Sequence, residues 1–423
     1  MNYILINAII YLILWIVFYS KINRINLFVV AWSGFTLSSW MSYFSCENNL
    51  YYYNLNFVYD PSSIGTLICV LAINLILLFP LWKVDERDID LLRINTEMPA
   101  YKTFVKISVP IFLVLSVMKI YETAAIESVS SYGDIYQQMH DDDTPTLLRD
   151  MLYSNSFLRM LSGAGANYCI TMAPLIIIYI IKKISINRKL KIEYVLLTLI
   201  TLIPVVLQGV VNASRGNLFF SMFQLLFYYI IACKYLKQKI RNIIYIGAVL
   251  MVIAVLGVSY AITESRIDTR RSSYTAFEDI ATYFGQPMLN ACYFQNRIKY
   301  HPMGKRMLDI RDSNNNDSFR DYWNNKTGSQ LQLFKTCYGD LYLEFGLYGA
   351  FVFILIYTFL CNKLILRNFK NPIYIPFLWL YFNTLIYSIF NFKFFKLTGF
   401  WFFLLVIFCY YININSRRRV NVP

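Results

Sequence analysis

Long apolar runs separated by short polar segments dominate this sequence. An apolar run of about 18 or more residues, with charge only near its ends, is long enough to cross a bilayer as a helix. The pattern predicts eleven such spans, and we therefore expect an all-α polytopic membrane protein. The spans cover residues 3–20, 26–45, 62–82, 105–121, 161–181, 194–209, 217–233, 243–262, 339–361, 373–390 and 394–413.

One polar stretch, residues 263–337, is far longer than the others. It divides the chain into residues 1–262 with eight predicted spans, the long loop, and residues 338–423 with three spans and a tail. Within the loop, apolar residues recur at intervals of three or four, which predicts an amphipathic helix over residues 274–293 that lies on the membrane or caps the bundle. Pro287 should bend this helix or break it in two.

Positive charge alternates from one inter-span loop to the next. Lys and Arg are retained on the cytoplasmic side near helix ends. With eleven spans, the loops that carry Lys21 and Arg24, residues 83–106, 182–191, 234–241 and 363–370, and the final Arg417, Arg418 and Arg419 all fall on one side. This predicts an external N-terminus, a cytoplasmic C-terminus and an extracytoplasmic long loop.

Composition supports a membrane protein and limits the partners. Apolar residues make up 57% of the chain, and the mean hydropathy of +0.45 is too high for a soluble domain of 423 residues. The formal net charge of +14 would indicate nucleic acid in a soluble protein. Here cytoplasmic loops account for much of it, so we expect no nucleic-acid partner.

Arg215 is the most informative charge because it breaks the alternation. It lies in QGVVNASRG, an outward turn between two spans that is too short to extend far from the membrane. A charge held in such a place is costly and tends to mark a site. A second group of arginines, Arg266, Arg270 and Arg271, lies where the long loop leaves the eighth span. Basic residues at a membrane surface indicate an anionic partner.

The motifs resemble those of a known enzyme family. Asn212-Ala-Ser-Arg-Gly216 at an outward turn, a large outward loop two spans later, and Tyr338-Gly-Asp-Leu-Tyr-Leu-Glu-Phe-Gly-Leu-Tyr-Gly349 at the next span resemble bacterial oligosaccharide repeat-unit polymerases, the Wzy-type O-antigen polymerases. The resemblance implies a GT-C-like glycosyltransferase architecture in the bacterial inner membrane, with its active site facing the periplasm and acting in lipopolysaccharide biosynthesis.

The resemblance also implies substrates and partners. The donor would be a growing glycan on undecaprenyl diphosphate, the acceptor a new lipid-linked repeat unit, and a chain-length regulator a further partner. No cofactor or metal is implied. Cations are needed at the departing diphosphate, a task that suits the planar guanidinium fork. We expect the diphosphate to be bound by Arg215, Arg266, Arg270 and Arg271, with Arg215 and Arg270 acting in catalysis.

A base is needed near the acceptor hydroxyl. Asp340 and Glu344 are four residues apart at the outer end of the ninth span, so in a helix they share one face. They are the predicted catalytic acids, with His301 as another possible base. The alternative is that each acid pairs with a neighbouring arginine. We expect the cavity to open sideways to lipid, with these acids and the arginines around it.

Other interpretations of the sequence stay open. His140 lies beside Asp141, Asp142 and Asp143 but has no second His or Cys at ligand spacing, which argues against a metal site. Cys46, Cys292 and Cys337 share the outer side, where a disulfide is permitted, but three cysteines leave its pairing open. The competing functions are an O-antigen ligase, a lipid-linked oligosaccharide flippase and an ion-coupled transporter.

Overall fold

A computed structural model describes most of the chain. The described residues are 2–51, 55–89, 96, 99–129, 153–187, 191–211, 215–243, 245–247, 249–250, 253, 256–257, 260, 275–306, 317–329, 334–368 and 374–392. Within these ranges the chain is helical with irregular connections and contains no β-strand, which confirms the all-α class.

The α-helices are named here in chain order. They are α1 (Tyr3–Ile22), α2 (Leu27–Glu47), α3 (Ser62–Trp82), α4 (Pro99–Val129), α5 (Ser156–Asn187), α6 (Ile192–Val211), α7 (Arg215–Ala232), α8 (Ala276–Gln295), α9 (Asp317–Thr327), α10 (Thr336–Asn368) and α11 (Ile375–Tyr387). Short 3-10 turns occupy Leu55–Tyr59, Glu86–Asp88 and Cys233–Tyr235.

Seven of these described helices, α1, α3, α4, α5, α6, α7 and α10, are long and apolar enough to cross a membrane. They coincide with seven of the predicted spans, which indicates a membrane protein. The predicted span at 26–45 is the helix α2, but its serines leave it too polar to join the seven. The predicted span at 373–390 contains only the short helix α11.

The remaining two predicted spans cannot be compared in the same way. The span at 243–262 is described only in part, and the span at 394–413 lies outside the described residues. The count of eleven spans and the layout of the loops on the two sides therefore stay predictions.

The chain divides into two compact units. Unit 1 comprises residues 1–84, 273–366 and 384–395, and unit 2 comprises residues 85–272, 367–383 and 396–423. In unit 2, α4 packs against α5 and α6. The Tyr101 hydroxyl donates to the Leu175 carbonyl at 2.6 Å, and the Ser116 hydroxyl donates to the Ile200 carbonyl at 2.9 Å. Such bonds satisfy polar groups among apolar helices.

Unit 1 is built on α1, α2 and α3. The Asn2 and Asn26 side chains cap the N-termini of α1 and α2 by accepting from amides of the first turn. The rings of Tyr11 and Trp32 stack with centroids 5.1 Å apart. Asn74 of α3 donates to the Tyr11 hydroxyl at 2.8 Å. These contacts join the three helices through a mixed aromatic and polar centre.

The predicted amphipathic helix exists as α8, and it begins and ends two residues later than the predicted range of 274–293. Thr275 and Glu278 form a reciprocal capping box at its start. Pro287 lies inside the helix without ending it. The hydroxyls of Ser38 and Ser42 on α2 each donate at 2.8 Å to carbonyls in the turn before this proline.

Helix α8 packs into unit 1 instead of lying apart from it. Its closest approach to α2 is at Gly285, where a Cβ atom would lie 2.6 Å from the Met41 carbonyl oxygen. The two backbones are therefore in direct contact, which no larger residue would permit. The described contacts show that α8 packs against α2, whereas its predicted placement on the membrane or as a cap on the bundle stays a prediction.

Candidate functional site

The first turn of α10 is fixed by backbone hydrogen bonds. The amides of Lys335 and Thr336 donate to the Phe390 carbonyl at 3.0 and 2.9 Å, and the Cys337 amide donates to the Ser388 carbonyl at 2.8 Å. The amides at a helix start have no partner within the helix and need one elsewhere. The chain that follows α11 thus holds the start of α10 in place.

Helix α10 is broken at Gly346, which has φ 69° and ψ −174°. This backbone conformation is open essentially to glycine alone. The break exposes two carbonyls of the preceding turn to new donors. The Met303 amide donates to the Glu344 carbonyl at 2.8 Å, and Nδ1 of His301 lies 3.1 Å from the Leu343 carbonyl oxygen. Because that oxygen can only accept, Nδ1 is the donor in this contact.

Glu344 is the most enclosed acid of this region, with no exposed surface. One carboxylate oxygen forms an ion pair with Nε of Arg306, whose side chain is 18% exposed. The other accepts from the Gly304 amide at 3.2 Å. Residues 303–306 therefore form a turn wrapped around this carboxylate, and both of its oxygens are used.

Asp340 lies one turn earlier on α10 and is only half-buried. One of its oxygens accepts from the Phe392 amide at 2.8 Å. Lys335, just before the helix, is 1% exposed, and its ammonium group lies 5.5 Å from the centre of the Phe294 ring. Burial lowers the pKa of Lys335 to about 8, with Asp340 opposing the shift and Arg306 adding to it.

The predicted site residues are described to different degrees. Asp340 and Glu344 lie four residues apart on α10, in unit 1. Arg215 is the first residue of α7, in unit 2, and only its backbone is described. Arg266, Arg270 and Arg271 lie outside the described residues. The convergence of these arginines with the acids stays a prediction.

Two residues of the site carry little signal in the sequence. Arg306 is 38 positions from Glu344, and nothing in its local pattern indicates the pairing. Lys335 precedes the apolar run by a few residues, and its position in the sequence does not distinguish it from other basic residues at helix ends. Pairing with an arginine was the alternative role for each acid, and Glu344 does pair, but with Arg306 and not with one of the predicted site arginines.

Unit 2 contains a second ionic group, within a predicted span. Lys119 and Glu122 on α4 have no exposed side-chain surface and form an ion pair at 2.8 Å. The Ser162 hydroxyl lies 2.8 Å from the ammonium group, and the Tyr153 hydroxyl donates to the carboxylate at 3.0 Å. The Lys-x-x-Glu spacing on one helix face was the available signal. The network is satisfied by its own members.

The cysteines and possible metal ligands give no further site. Cys46, Cys292 and Cys337 are buried and unbonded to one another, so the open question of a disulfide is not resolved in favour of any pair. Among the residues that the structure describes, no three His, Cys, Asp or Glu side chains lie together as metal ligands. His140 and its neighbouring aspartates are outside those residues.

Comparison of the chain with protein families, with curated proteins and with solved structures found no match.

Proposed function

We propose that this protein polymerises undecaprenyl-diphosphate-linked oligosaccharide repeat units into O-antigen or a related surface polysaccharide. One observation supports it most. Ionisable groups collect at the start of α10, a helix able to cross a membrane, directly after the long loop. Ionisable residues held at a membrane segment are costly and mark functional sites. The Asn212–Gly216 and Tyr338–Gly349 motifs supply the enzyme class.

The reaction joins two lipid-linked glycans. A hydroxyl oxygen at the non-reducing end of the new repeat unit attacks the anomeric carbon of the growing chain. The new carbon–oxygen bond forms as the bond from that carbon to the diphosphate breaks, and undecaprenyl diphosphate leaves with the electron pair. Arg215, Arg266, Arg270 and Arg271 stabilise the departing diphosphate in this proposal, and the hydroxyl proton passes to a base.

Asp340 is the better base of the two acids. Glu344 is enclosed and accepts from both Arg306 and Gly304, so neither of its oxygens is open to a substrate hydroxyl. Asp340 is half-buried, with a backbone amide on one oxygen. We therefore assign proton acceptance to Asp340 and the positioning of Arg306 to Glu344. His301 is the alternative base, through Nε2.

This assignment implies a place and partners for the protein. The active site would face the periplasm from the inner membrane, because the lipid-linked repeat units must reach the outward Arg215 and the long loop. The lipid diphosphate and a chain-length regulator are its proposed partners. No cofactor is required, since the diphosphate is itself the leaving group.

The test is the glycan profile of a strain that lacks the gene. A polymerase mutant should retain single-repeat caps on its lipopolysaccharide, and the wild-type gene should restore long chains. Bare core would instead indicate a ligase or a flippase. Unchanged long chains would contradict all three.

A pair of aspartate variants makes the test specific to the site. Asp340→Asn should leave single-repeat caps at normal protein abundance, because the proton acceptor is removed while the shape is kept. Asp321→Asn, at an exposed position on α9, is the matched control and should restore long chains. Equal chain lengths with the two variants would remove Asp340 from the mechanism.

A further inference from the structure

A pocket of about 400 Å³ lies in the connection between α2 and α3 in unit 1. Its size falls within the range of about 300–1,000 Å³ that is typical of ligand pockets. The described residues that line it include Asn49, Tyr51, Leu55, Asn56, Val58 and Tyr59. None of the proposed catalytic residues is among them.

The described lining combines polar and apolar side chains and carries no charge. Asn49, Tyr51, Asn56 and Tyr59 line the pocket beside Leu55 and Val58, and Glu47, the one charged residue between Cys46 and Tyr59, is not among the described lining residues. An amide offers a donor and an acceptor side by side, which matches neighbouring hydroxyls of a sugar. A lining without cations does not suit a diphosphate, which needs charge to replace its hydration.

Two features place groups where a ligand can reach them. Tyr59 is 59% exposed, so its ring face is available to the apolar face of a sugar. Asn49 has a left-handed backbone with φ 51° and an exposed side chain at the end of α2. Asparagine tolerates this conformation better than most residues. The amide is thus presented on a tight turn.

The inner wall of the pocket is connected to the start of α10 by two hydrogen bonds, the first of them buried. The Tyr51 hydroxyl donates to Oδ1 of Asn290 at 2.6 Å, and Nδ2 of Asn290 donates to the Phe334 carbonyl at 2.7 Å. Phe334 immediately precedes Lys335. Both bonds lie within unit 1. A chain of two hydrogen bonds therefore connects the pocket wall with the residue that precedes Lys335.

We propose that this pocket binds an uncharged sugar ring of the glycan substrate, with Asn49 and Asn56 contacting its hydroxyls and Tyr59 stacking against its face. That the sugar belongs to the acceptor repeat unit rests on the proposed function. The binding of sugar does not, and the two are tested separately.

Binding is measured on the full-length protein in lipid nanodiscs by saturation-transfer NMR. The probes are the methyl glycosides of glucose, galactose, mannose, rhamnose, N-acetylglucosamine and N-acetylgalactosamine. We expect at least one to bind, and Asn49→Asp and Tyr59→Leu each to weaken that binding by about tenfold. Asp keeps the backbone preference of Asn49 but removes its amide donor. Tyr322→Leu, an exposed tyrosine on α9 outside the pocket, is the control and should bind as the wild type does.

The outcomes separate this proposal from the polymerase assignment. Binding to none of the glycosides, or binding that the two pocket variants leave unchanged, overturns the pocket assignment even if the deletion strain shows single-repeat caps. Binding that is lost only in the pocket variants supports it, even if the deletion strain rules out a polymerase. Shorter chains from Tyr59→Leu than from Tyr322→Leu would further place the sugar in the acceptor.

Discussion

At the scale of single residues, Asp340 and Glu344 differ although one helical turn separates them. Glu344 meets the turn of residues 303–306, which encloses it and uses both oxygens. Asp340 accepts from the Phe392 amide and stays half-buried. A carboxylate enclosed by a cation and an amide is out of reach of a substrate hydroxyl, whereas a half-buried one can be approached. Their environments thus separate a positioning role from a chemical one.

Lys335 gives a prediction about pH. Below pH 8 it is protonated in both the folded and the unfolded protein. Its burial then lowers the free energy of unfolding by the equivalent of the full pKa shift, roughly 3 kcal/mol. Between pH 8 and its ordinary pKa of 10.5 only the unfolded state keeps the proton, so the cost falls as pH rises. Lys335→Met should therefore be more stable than the wild type at pH 7, with a gap that narrows towards pH 10.

The measurement for Lys335 is thermal unfolding of both proteins in the same detergent at stepped pH. Comparison with the wild type cancels the titration of groups that do not interact with Lys335. Lys326→Met is the control, because Lys326 is exposed on α9 and the Tyr322 hydroxyl raises its pKa. A gap for Lys335→Met that stays constant from pH 7 to pH 10 would contradict the prediction.

Arg215 gives a prediction about chemistry. Arg215→Ala should leave insertion and abundance unchanged, since a charge at a membrane boundary contributes little to packing. Polymer should be lost, because one contact to developing charge contributes about 3 kcal/mol to the transition state, or roughly a hundredfold in rate. Arg215→Lys should rescue only in part, because an ammonium restores charge without the two-pronged geometry.

Glycan chain length on gels, read beside immunoblots of each variant, measures the effect at Arg215. Lys191→Ala, at a loop position that we predict to be cytoplasmic, is the control for loss of positive charge. Normal polymer at normal abundance from Arg215→Ala would make this arginine a lipid-facing anchor and remove it from the site.

At the scale of elements, the break in α10 depends on Gly346. A side chain there would meet strain of about 1–3 kcal/mol from the backbone conformation. Its Cβ would also lie 3.4 Å from Nε2 of His301. Gly346→Ala should lower the melting temperature and shorten the polymer, because the turn of residues 301–306 is held by carbonyls that the break exposes.

Gly65→Ala is the matched control for Gly346. Gly65 lies inside α3 with open space where a Cβ would be, so alanine there should leave stability equal or raise it by up to about 1 kcal/mol. Equal melting temperatures for the two variants would show that α10 straightens without cost.

Helices could be predicted where they follow from a local apolar run. They were harder to predict where contacts with another helix determine their polarity or continuity. The lengths of α1 and α3 follow from the lengths of their apolar runs. Helix α2 has the length of a membrane span, yet two of its serines donate hydrogen bonds to α8, which is far away in the sequence. The continuity of α8 through Pro287 was equally hidden. Proline removes the amide that would donate to the Tyr283 carbonyl, and serine hydroxyls on another helix bond the next two carbonyls, those of Phe284 and Gly285.

The same difference between local pattern and long-range contact applies to the two acids of the site. The i, i+4 spacing of Asp340 and Glu344 is enough by itself to place both acids on one helix face. The role of each acid depends on Arg306, Gly304 and Phe392, which approach from other parts of the chain. Such contacts are determined by tertiary packing, so a local sequence pattern does not predict them.

At the scale of the whole molecule, orientation is the property on which the proposed function depends. Reporter fusions after Lys191, Arg241 and Arg419 should report cytoplasm, and fusions near Asn315 should report the outside, because Lys and Arg mark cytoplasmic loops. Paired phosphatase and fluorescent reporters at each position measure this. A cytoplasmic signal near Asn315 would separate the long loop from periplasmic substrates and overturn the site assignment.

The serines that join α2 to α8 also impose an order of events during synthesis. Ser38 and its acceptor, the Phe284 carbonyl, are 246 residues apart. At about 5–20 residues per second, α8 leaves the ribosome roughly 10–50 s after α2. For that interval the hydroxyl-bearing face of α2 lacks the helix that later covers it, while α1 and α3 are already beside it. Unit 1 is thus completed only by a segment made in the second half of translation, and a chain truncated before residue 276 leaves that face of α2 uncovered.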